Sequence, residues 1–154
     1  MKIIIAGAGE VGFHLAKLLS YESQEIVLID NNRESLKYAE NHLDIRIIHG
    51  NALSLSLLND AGVKNSDLFI AVTSEESLNI TLSALAKQLG CKRTIARISN
   101  IEFISSKDKV SFKDIGVDEL ISPEDLAANE IQQLLDQSAF FNNRKFDDGA
   151  LTLI

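Results

Sequence analysis

A glycine-rich stretch near the N-terminus has the residue types and spacing that a phosphate-binding turn needs. It follows a β-branched run that ends at Ala6 and precedes a helical pattern. Gly7 permits a tight turn, Gly9 lets the backbone approach a pyrophosphate that a side chain would obstruct, and Gly12 allows close packing of the helix on the strand. Unpaired N–H groups at the helix start, helped by the helix dipole, attract the anion. A pyrophosphate-binding turn is predicted, with a ligand-free turn as the alternative, over Gly7, Ala8, Gly9, Glu10, Val11 and Gly12.

A carboxylate stands where the ribose of a bound nucleotide would need one. Asp30 ends the second strand-like run, 18 residues after Gly12. It can accept hydrogen bonds from the ribose hydroxyls of an adenosine and repels a 2′-phosphate, so NAD or an adenine nucleotide is favoured over NADP. The alternative is an Asp-Asn turn that caps the next helix. Arg33 could accept a 2′-phosphate, but we interpret it as a surface residue.

Polar residues also follow the third and fourth strand-like runs. Asn51 and Ala52 would flank the adenine, with Asn51 able to bond the base edge, although a simple turn explains them equally well. Thr73 and Ser74 lie beside the expected switch point of the sheet, where ligands bind in such folds. Both also suit N-capping of the next helix, and the two roles are compatible.

Two further residues complete the candidate site. Asn79 falls one turn into the helix after the fourth strand, and its side chain is expected to face either the ligand or solvent. Arg97 is a charged residue in an otherwise apolar strand, so it needs a partner. A nucleotide phosphate or Glu10 would supply one, and a structural ion pair is the alternative.

Residues for catalysis or metal binding do not occur in recognisable arrangements. Tyr21 and Tyr38 lack the lysine four residues later that short-chain reductases use, and no G-x-S-x-G elbow for acyl transfer is present. One cysteine cannot build a structural zinc site, and the histidines are not spaced as metal ligands. We therefore predict no catalytic residue and no metal site. We interpret His14 as a surface or half-buried residue and Cys91 as a packing residue.

Short β-type runs alternate with helical patterns along the chain. Helical spacing occurs between successive runs, over residues 10–20, 33–42, 54–61 and 75–89. Asn32 can cap the second of these helices, Gly62 ends the third, and a cap at Ser122 with Pro123 begins a last helix. The β-type runs are continuous in Ile, Val and Leu, which indicates strands buried on both faces. The sequence predicts an α/β fold with a doubly wound, parallel, six-stranded Rossmann-like sheet, its strands at 3–6, 26–29, 45–48, 68–72, 94–98 and 119–121.

The composition is that of a single acidic domain. The chain has 154 residues, 45% of them hydrophobic, and a formal net charge of −7. This balance argues against a broad surface for nucleic acid or anionic lipid, and no apolar run approaches the roughly 18–20 residues of a membrane span. The pattern breaks near residue 138. We predict a nucleotide-binding domain over residues 1–138 and a connector over 139–154, with the start of a truncated C-terminal domain as one interpretation of that connector.

Several stretches in the expected order carry a family resemblance. The chain resembles the RCK or KTN family, the nucleotide-binding regulatory domains of Trk/Ktr-type potassium uptake systems, and most closely the N-terminal domains of TrkA-type regulatory subunits. The last matching stretch reads Ser-Pro-Glu-Asp-Leu. The matching positions are 2–12, Asp30, 50–52, 71–76 with Asn79, 96–97 and 122–126.

The resemblance implies a sensor without enzymatic activity. In that family NAD, NADH or adenine nucleotides bind the Rossmann crevice and bias a homo-oligomer of such domains, which gates a membrane potassium transporter subunit. It implies a cytoplasmic location, peripheral to the inner face of the cell membrane through the transporter, with no nucleic-acid partner and no direct lipid binding. By position it assigns the pyrophosphate to 7–11, the ribose to Asp30, and further contacts to Thr73, Ser74 and Arg97.

Glu10 bears on which nucleotide would be bound. Some relatives that prefer ATP carry a basic residue there, and an acid disfavours a γ-phosphate, so the resemblance implies NAD or NADH and leaves ATP or ADP open. The alternative function is a cofactor-binding fragment of an NAD-dependent dehydrogenase, against which the missing acid and base residues count. Apolar residues of the last predicted helix pack either on another subunit or on the sheet, namely Ile131, Leu134 and Leu135.

Overall fold

A computed structural model of the chain describes residues 1–105 and 109–135. The chain divides into a compact unit, Met1–Ile121, and a second unit that begins at Ser122. The boundary predicted near residue 138 and the connector over 139–154 lie outside the described residues. Within the described part, no helix combines the length and the apolar character that crossing a membrane requires.

One parallel sheet forms the first unit. Its strand order is β3-β2-β1-β4-β5-β6, and every neighbouring pair is parallel. The order reverses between β1 and β4, which is the doubly wound, Rossmann-like arrangement that the sequence predicts. The strands are β1 (Lys2–Ala6), β2 (Glu25–Asp30), β3 (Arg46–His49), β4 (Leu68–Ala71), β5 (Arg93–Arg97) and β6 (Glu119–Ile121).

Helices connect the strands as crossovers. Their bounds agree with the predicted ones to within a residue or two, except for the last, which the sequence analysis missed. It has five residues and shows no full period of apolar spacing. Single 3₁₀ turns occupy Val63–Asn65 and Lys113–Ile115. The helices are α1 (Glu10–Ser20), α2 (Arg33–His42), α3 (Leu55–Ala61), α4 (Glu76–Gln88) and α5 (Ile101–Ser105).

Local signals explain where α2 and α3 begin and where α3 ends. Asn32 caps α2, since its Oδ1 accepts from the N–H groups of Glu34 (2.9 Å) and Ser35 (3.2 Å). Ser54 caps α3 by accepting from a backbone N–H one turn later. Gly62 ends α3 in the left-handed region, at φ 79°, which a residue with a side chain rarely adopts.

Apolar side chains cover both faces of the sheet. On one face Ile3 and Ile5 pack with residues of α1 and α2 such as Ala16 and Leu36. On the other face the alternate residues of β1 pack with α3 and α4, for example through Leu82. A fully buried Leu or Ile side chain stabilises the fold by about 1.5–3 kcal/mol. Burial on both faces is why the strands have continuous rather than alternating apolar sequence.

Carboxylates preceding β4 and β6 hold the amino-terminal edge of the sheet. Asp67 accepts from the backbone N–H of Lys2 (2.8 Å) and from Lys92 Nζ (2.6 Å), and these contacts, Lys92 first, lower the pKa of Asp67. Asp118 accepts from Lys87 Nζ (2.7 Å) and from a backbone N–H of β5 (2.8 Å). Burial raises the pKa of Asp118, but these hydrogen bonds outweigh it, so the net shift is downward.

The second unit begins with a capped helix. Ser122 Oγ accepts from the backbone N–H of Asp125 (3.3 Å), as the cap predicted from the sequence requires. The helix extends over residues 123–135. Its large apolar side chains are exposed, among them Ile131, Leu134 and Leu135.

Candidate functional site

A crevice opens at the carboxyl edge of the sheet, within the first unit. The loops that follow β1, β2, β3 and β4 contribute to it, together with the last residue of β5. It forms there because the chain leaves β1 and β4 in opposite directions at the switch point. Its volume is about 570 Å³, within the range of roughly 300–1,000 Å³ for small-molecule sites. The predicted site residues that line it are Gly7, Gly9, Glu10, Val11, Asp30, Asn51, Ala52, Thr73, Ser74 and Arg97.

Contacts within the protein require glycine at some positions of the first loop and not at others. Gly7 has φ +111°, and a Cβ there would lie 2.8 Å from the backbone of Val72 and Thr73. A Cβ at Gly12 would lie 1.8 Å from the carbonyl oxygen of Gly7. At Gly9 a Cβ would meet no atom of the described residues within 4 Å, and the backbone is extended, at φ −67° and ψ −171°. The fold therefore needs glycine at positions 7 and 12 but not at position 9.

Asp30 connects the glycine loop to the start of α2. Its Oδ2 accepts from the backbone N–H of Ala8 (2.5 Å), and its Oδ1 accepts from that of Asn32 (2.7 Å). The Asp-Asn turn considered as an alternative is therefore formed, and the same side chain also lines the crevice. Ala8 itself is buried and contributes its N–H group to this support rather than a surface to the crevice.

The start of α1 faces the crevice. Gly9 occupies the N-cap position, where no side chain within the described part of the chain forms a capping hydrogen bond. Glu10 and Val11 follow it and line the crevice. The free N–H groups of this first turn and the helix dipole favour an anion at this place.

Asn79 lies beneath the crevice and supports the loop after β4. The residue is 1% exposed. Its Oδ1 accepts from the N–H (2.8 Å) and Oγ1 (2.7 Å) of Thr73. Its Nδ2 donates to the carbonyl groups of Thr73 (3.0 Å) and Arg97 (2.9 Å). Asn79 therefore does not face solvent, and it is not among the residues that line the crevice. The reason is that the two strand ends leave backbone groups that need a buried partner.

The loop after β4 also differs from the predicted helix cap. α4 begins at Glu76 with Glu75 before it, and no side chain in the described part caps it. Thr73 Oγ1 instead accepts from the N–H of Glu75 (3.3 Å), which forms a local turn. Thr73 and Ser74 remain at the rim of the crevice.

The other predicted contacts lie at the edges of the crevice. Asn51 Oδ1 accepts from the N–H of Leu53 (2.9 Å), so Asn51 forms a turn and lines the crevice at the same time. Arg97 ends β5, is half-buried and lines the opposite side. The turn after Asp30 and the first turn of α2 also contribute polar lining residues that the sequence analysis missed, namely Asn31, Asn32 and Ser35.

The sequence of this region identifies the family. A family model described as the TrkA-N domain matches residues 3–123, a range that includes every residue lining the crevice. The chain belongs to the TrkA-N domain family. It is 40% identical over 152 residues to the Trk system potassium uptake protein TrkA of Haemophilus influenzae, covering 94% of this chain and 33% of that protein. It is 34% identical over 154 residues to a TrkA homolog of Archaeoglobus fulgidus, covering 100% of this chain and 35% of that protein. This TrkA-N domain thus spans about one third of the length of these curated relatives.

Solved structures share the fold of this TrkA-N domain. The TrkA-N domain of the Escherichia coli inner membrane protein ybaL superposes with a TM-score of 0.74 at 18% identity, covering 87% of this chain and 96% of that one. The GsuK channel bound to NAD superposes with a TM-score of 0.71 at 24% identity, covering 90% of this chain and 24% of that one. The structure of GsuK bound to ADP superposes with a TM-score of 0.70 at 25% identity, covering 89% of this chain and 34% of that one.

Acidic and basic side chains surround the crevice of this TrkA-N domain unevenly. Glu10 and Glu75 are exposed at its rim. Asp30 lies on the side of β2, whereas Arg97 lies at the end of β5, on the other side of the switch point. Among residues 1–105 and 109–135, no three His, Cys, Asp or Glu side chains are grouped so as to hold a metal ion. Of the described residues, Arg97 is the one basic residue that lines the crevice, and it lies on the side of β4 and β5.

Proposed function

We propose that this chain is the nucleotide-sensing domain of a regulatory subunit that gates a membrane potassium transporter. The ligand is NAD or NADH, with ATP or ADP as weaker competitors. The domain acts in the cytoplasm within a homo-oligomer and reaches the membrane through the transporter subunit. The named relatives support a role in potassium uptake, and the GsuK structures with NAD and ADP support nucleotide binding by this fold.

The open position beside Gly9 is the observation that carries the proposal. Gly7 and Gly12 are explained by contacts within the protein, but Gly9 is not, since a Cβ there would lie within 4 Å of none of the residues that the structure describes. A pyrophosphate that lies against the backbone at the start of α1 would explain why position 9 needs a residue without a side chain. The loop then receives the anion without moving, because Asp30 already holds the N–H of Ala8.

The two halves of a dinucleotide would lie on opposite sides of the switch point. The adenosine lies toward β2 and β3, where Asp30 retains lone pairs for a ribose hydroxyl and Asn51 faces the base. The second half lies toward β4 and β5, beside Thr73 and Arg97. Glu10 stands at the start of α1, where its charge opposes a γ-phosphate.

The domain works as a sensor rather than an enzyme. A nucleotide changes gating only if it binds two arrangements of the oligomer with different affinity, and the change in gating cannot exceed that difference. NAD and NADH differ in charge and shape at the nicotinamide, which lies on the Arg97 side in this proposal. That side is therefore where the two redox forms would be distinguished.

Competitive titration tests the proposal. NADH, NAD, ATP and ADP are titrated against the purified chain by calorimetry, with NADH fluorescence as a second readout. We expect saturable 1:1 binding with NADH or NAD tighter than ATP. The absence of binding by all four nucleotides would refute the nucleotide site, and tighter binding of ATP would refute the role given to Glu10. A sensor should also leave bound NADH chemically unchanged over hours, whether or not a candidate substrate is added.

A further inference from the structure

The first turn of α4 holds the segment that follows β5. Glu76 and Asn79 are three residues apart, so they share one face of the helix. Asn79 Nδ2 donates to the carbonyl group of Arg97 (2.9 Å). Glu76 Oε2 accepts from the backbone N–H groups of Ser99 (2.7 Å) and Asn100 (2.8 Å). The backbone from Arg97 to Asn100 is thus attached to α4 at both ends.

The bonds to Glu76 are of the strong, charge-assisted kind. A carboxylate that accepts from two successive backbone N–H groups forms shorter and stronger hydrogen bonds than a neutral acceptor does. Between the two attachments, the N–H of Ile98 donates to the carbonyl group of Ile121 (2.8 Å) on β6. The peptide units next to Arg97 are therefore fixed from α4 and from β6, which limits the directions in which the Arg97 side chain can leave the strand.

We propose that Glu76 is a positioning residue that holds Arg97 at the crevice for the second half of the bound nucleotide. Glu76 does not line the crevice and has no direct ligand contact in this proposal. Its carboxylate fixes the turn after β5, and Arg97 then meets the phosphate and sugar beyond the adenosine. This inference rests on the proposed nucleotide site, to which it adds Glu76 as a residue that acts through Arg97.

Comparison of a whole and a half ligand tests this role. NADH spans both sides of the switch point, whereas AMP carries only the adenosine side with one phosphate. In Glu76→Ala we expect the affinity for NADH to fall about tenfold, the effect of losing a charged hydrogen bond, while the affinity for AMP stays within about twofold. Glu76→Gln retains an oxygen that can accept from both N–H groups, so its NADH affinity should lie between those of the wild type and Glu76→Ala.

A matched control separates positioning from general destabilisation. Asp67 also accepts from a backbone N–H, that of Lys2, but at the opposite edge of the sheet. Asp67→Ala should lower the melting temperature and leave the NADH and AMP affinities unchanged. Hydrogen exchange of the Ser99 and Asn100 amides should accelerate in Glu76→Ala and not in Asp67→Ala.

The outcomes distinguish this inference from the function on which it rests. If the wild type binds NADH and Glu76→Ala leaves the ratio of NADH to AMP affinity unchanged, the positioning role is wrong and the nucleotide site stands. The same holds if Glu76→Ala weakens both ligands equally. If the wild type binds neither ligand, the nucleotide site fails and the positioning role fails with it.

Discussion

Replacing Gly9 by alanine should weaken nucleotide binding without unfolding the protein. Within residues 1–105 and 109–135 the added Cβ meets no atom closer than 4 Å, and the backbone at Gly9 is extended, so no strain is expected. Alanine is a poorer N-cap than glycine by roughly 0.5–1 kcal/mol, but it restricts the unfolded chain, which stabilises by about 0.4–1 kcal/mol. These effects nearly cancel, so the melting temperature should change by no more than about 2–4 °C.

The same methyl group should obstruct the ligand. It occupies the space through which a pyrophosphate approaches the start of α1, and displacement of a ligand by about 1 Å is enough to lose most of a well-aligned interaction. We expect NADH affinity to fall at least about tenfold, or about 1.4 kcal/mol. Calorimetric titration measures the affinity, and differential scanning calorimetry measures the melting temperature of the same sample.

Gly12→Ala is the matched control, because it adds the same methyl group one turn away. There the Cβ would lie 1.8 Å from the carbonyl oxygen of Gly7, so the helix must move. We expect a loss of about 3 kcal/mol or more, which is a fall of about 6 °C or more in the melting temperature. Wild-type NADH affinity in Gly9→Ala would refute the reasoning, as would a Gly9→Ala variant that melts as early as Gly12→Ala.

Three other changes should act at distinct places. Asp30→Ala should reduce NADH affinity about tenfold and narrow the preference for NADH over NADPH, since a carboxylate that bonds the ribose is removed. An unchanged ratio of NADH affinity to NADPH affinity in titrations would contradict this. Asn79→Leu should cost about 2–4 kcal/mol in urea unfolding because buried backbone groups of Thr73 and Arg97 lose their partner; a loss below about 1 kcal/mol would count against it. Asp118→Asn should destabilise at pH 7 by about 1 kcal/mol. Because the pKa of Asp118 is lowered in the folded state, this difference should persist above its ordinary value of 3.8 and shrink as the pH falls below it; a pH-independent difference would exclude the ion pair as its source.

The sequence was sufficient for the fold because its signals are local. The apolar runs, the cap at Asn32 and the stop at Gly62 each depend on residues within one or two turns, and the structure places the corresponding elements within a residue or two of the predicted bounds. The α/β alternation and the handedness of crossovers then leave the doubly wound order as the leading topology. α5 was missed because five residues give no period to detect.

The site was predictable only in part, for a different physical reason. Residues that line the crevice follow strands directly, so their place at the carboxyl edge could be inferred from the alternation of elements. The roles of Asn79 and Glu76 depend on backbone groups 18 to 24 residues away, at Arg97, Ser99 and Asn100. Packing decides which backbone N–H or C=O group lacks a partner at the end of a strand. The spacing of residues in the sequence does not indicate which group that is.

The central position of β1 has a consequence for synthesis of the chain. β1 pairs with β2 on one side and with β4 on the other, and Ile3 lies beside Leu68, which is 65 residues later. At a synthesis rate of about 5–20 residues per second, β1 waits about 3–13 s for its second neighbour. During that interval a continuous apolar strand has one unpaired edge, which is a template for association with other chains. β1, one of the two central strands of the native sheet, therefore needs protection while the chain is made.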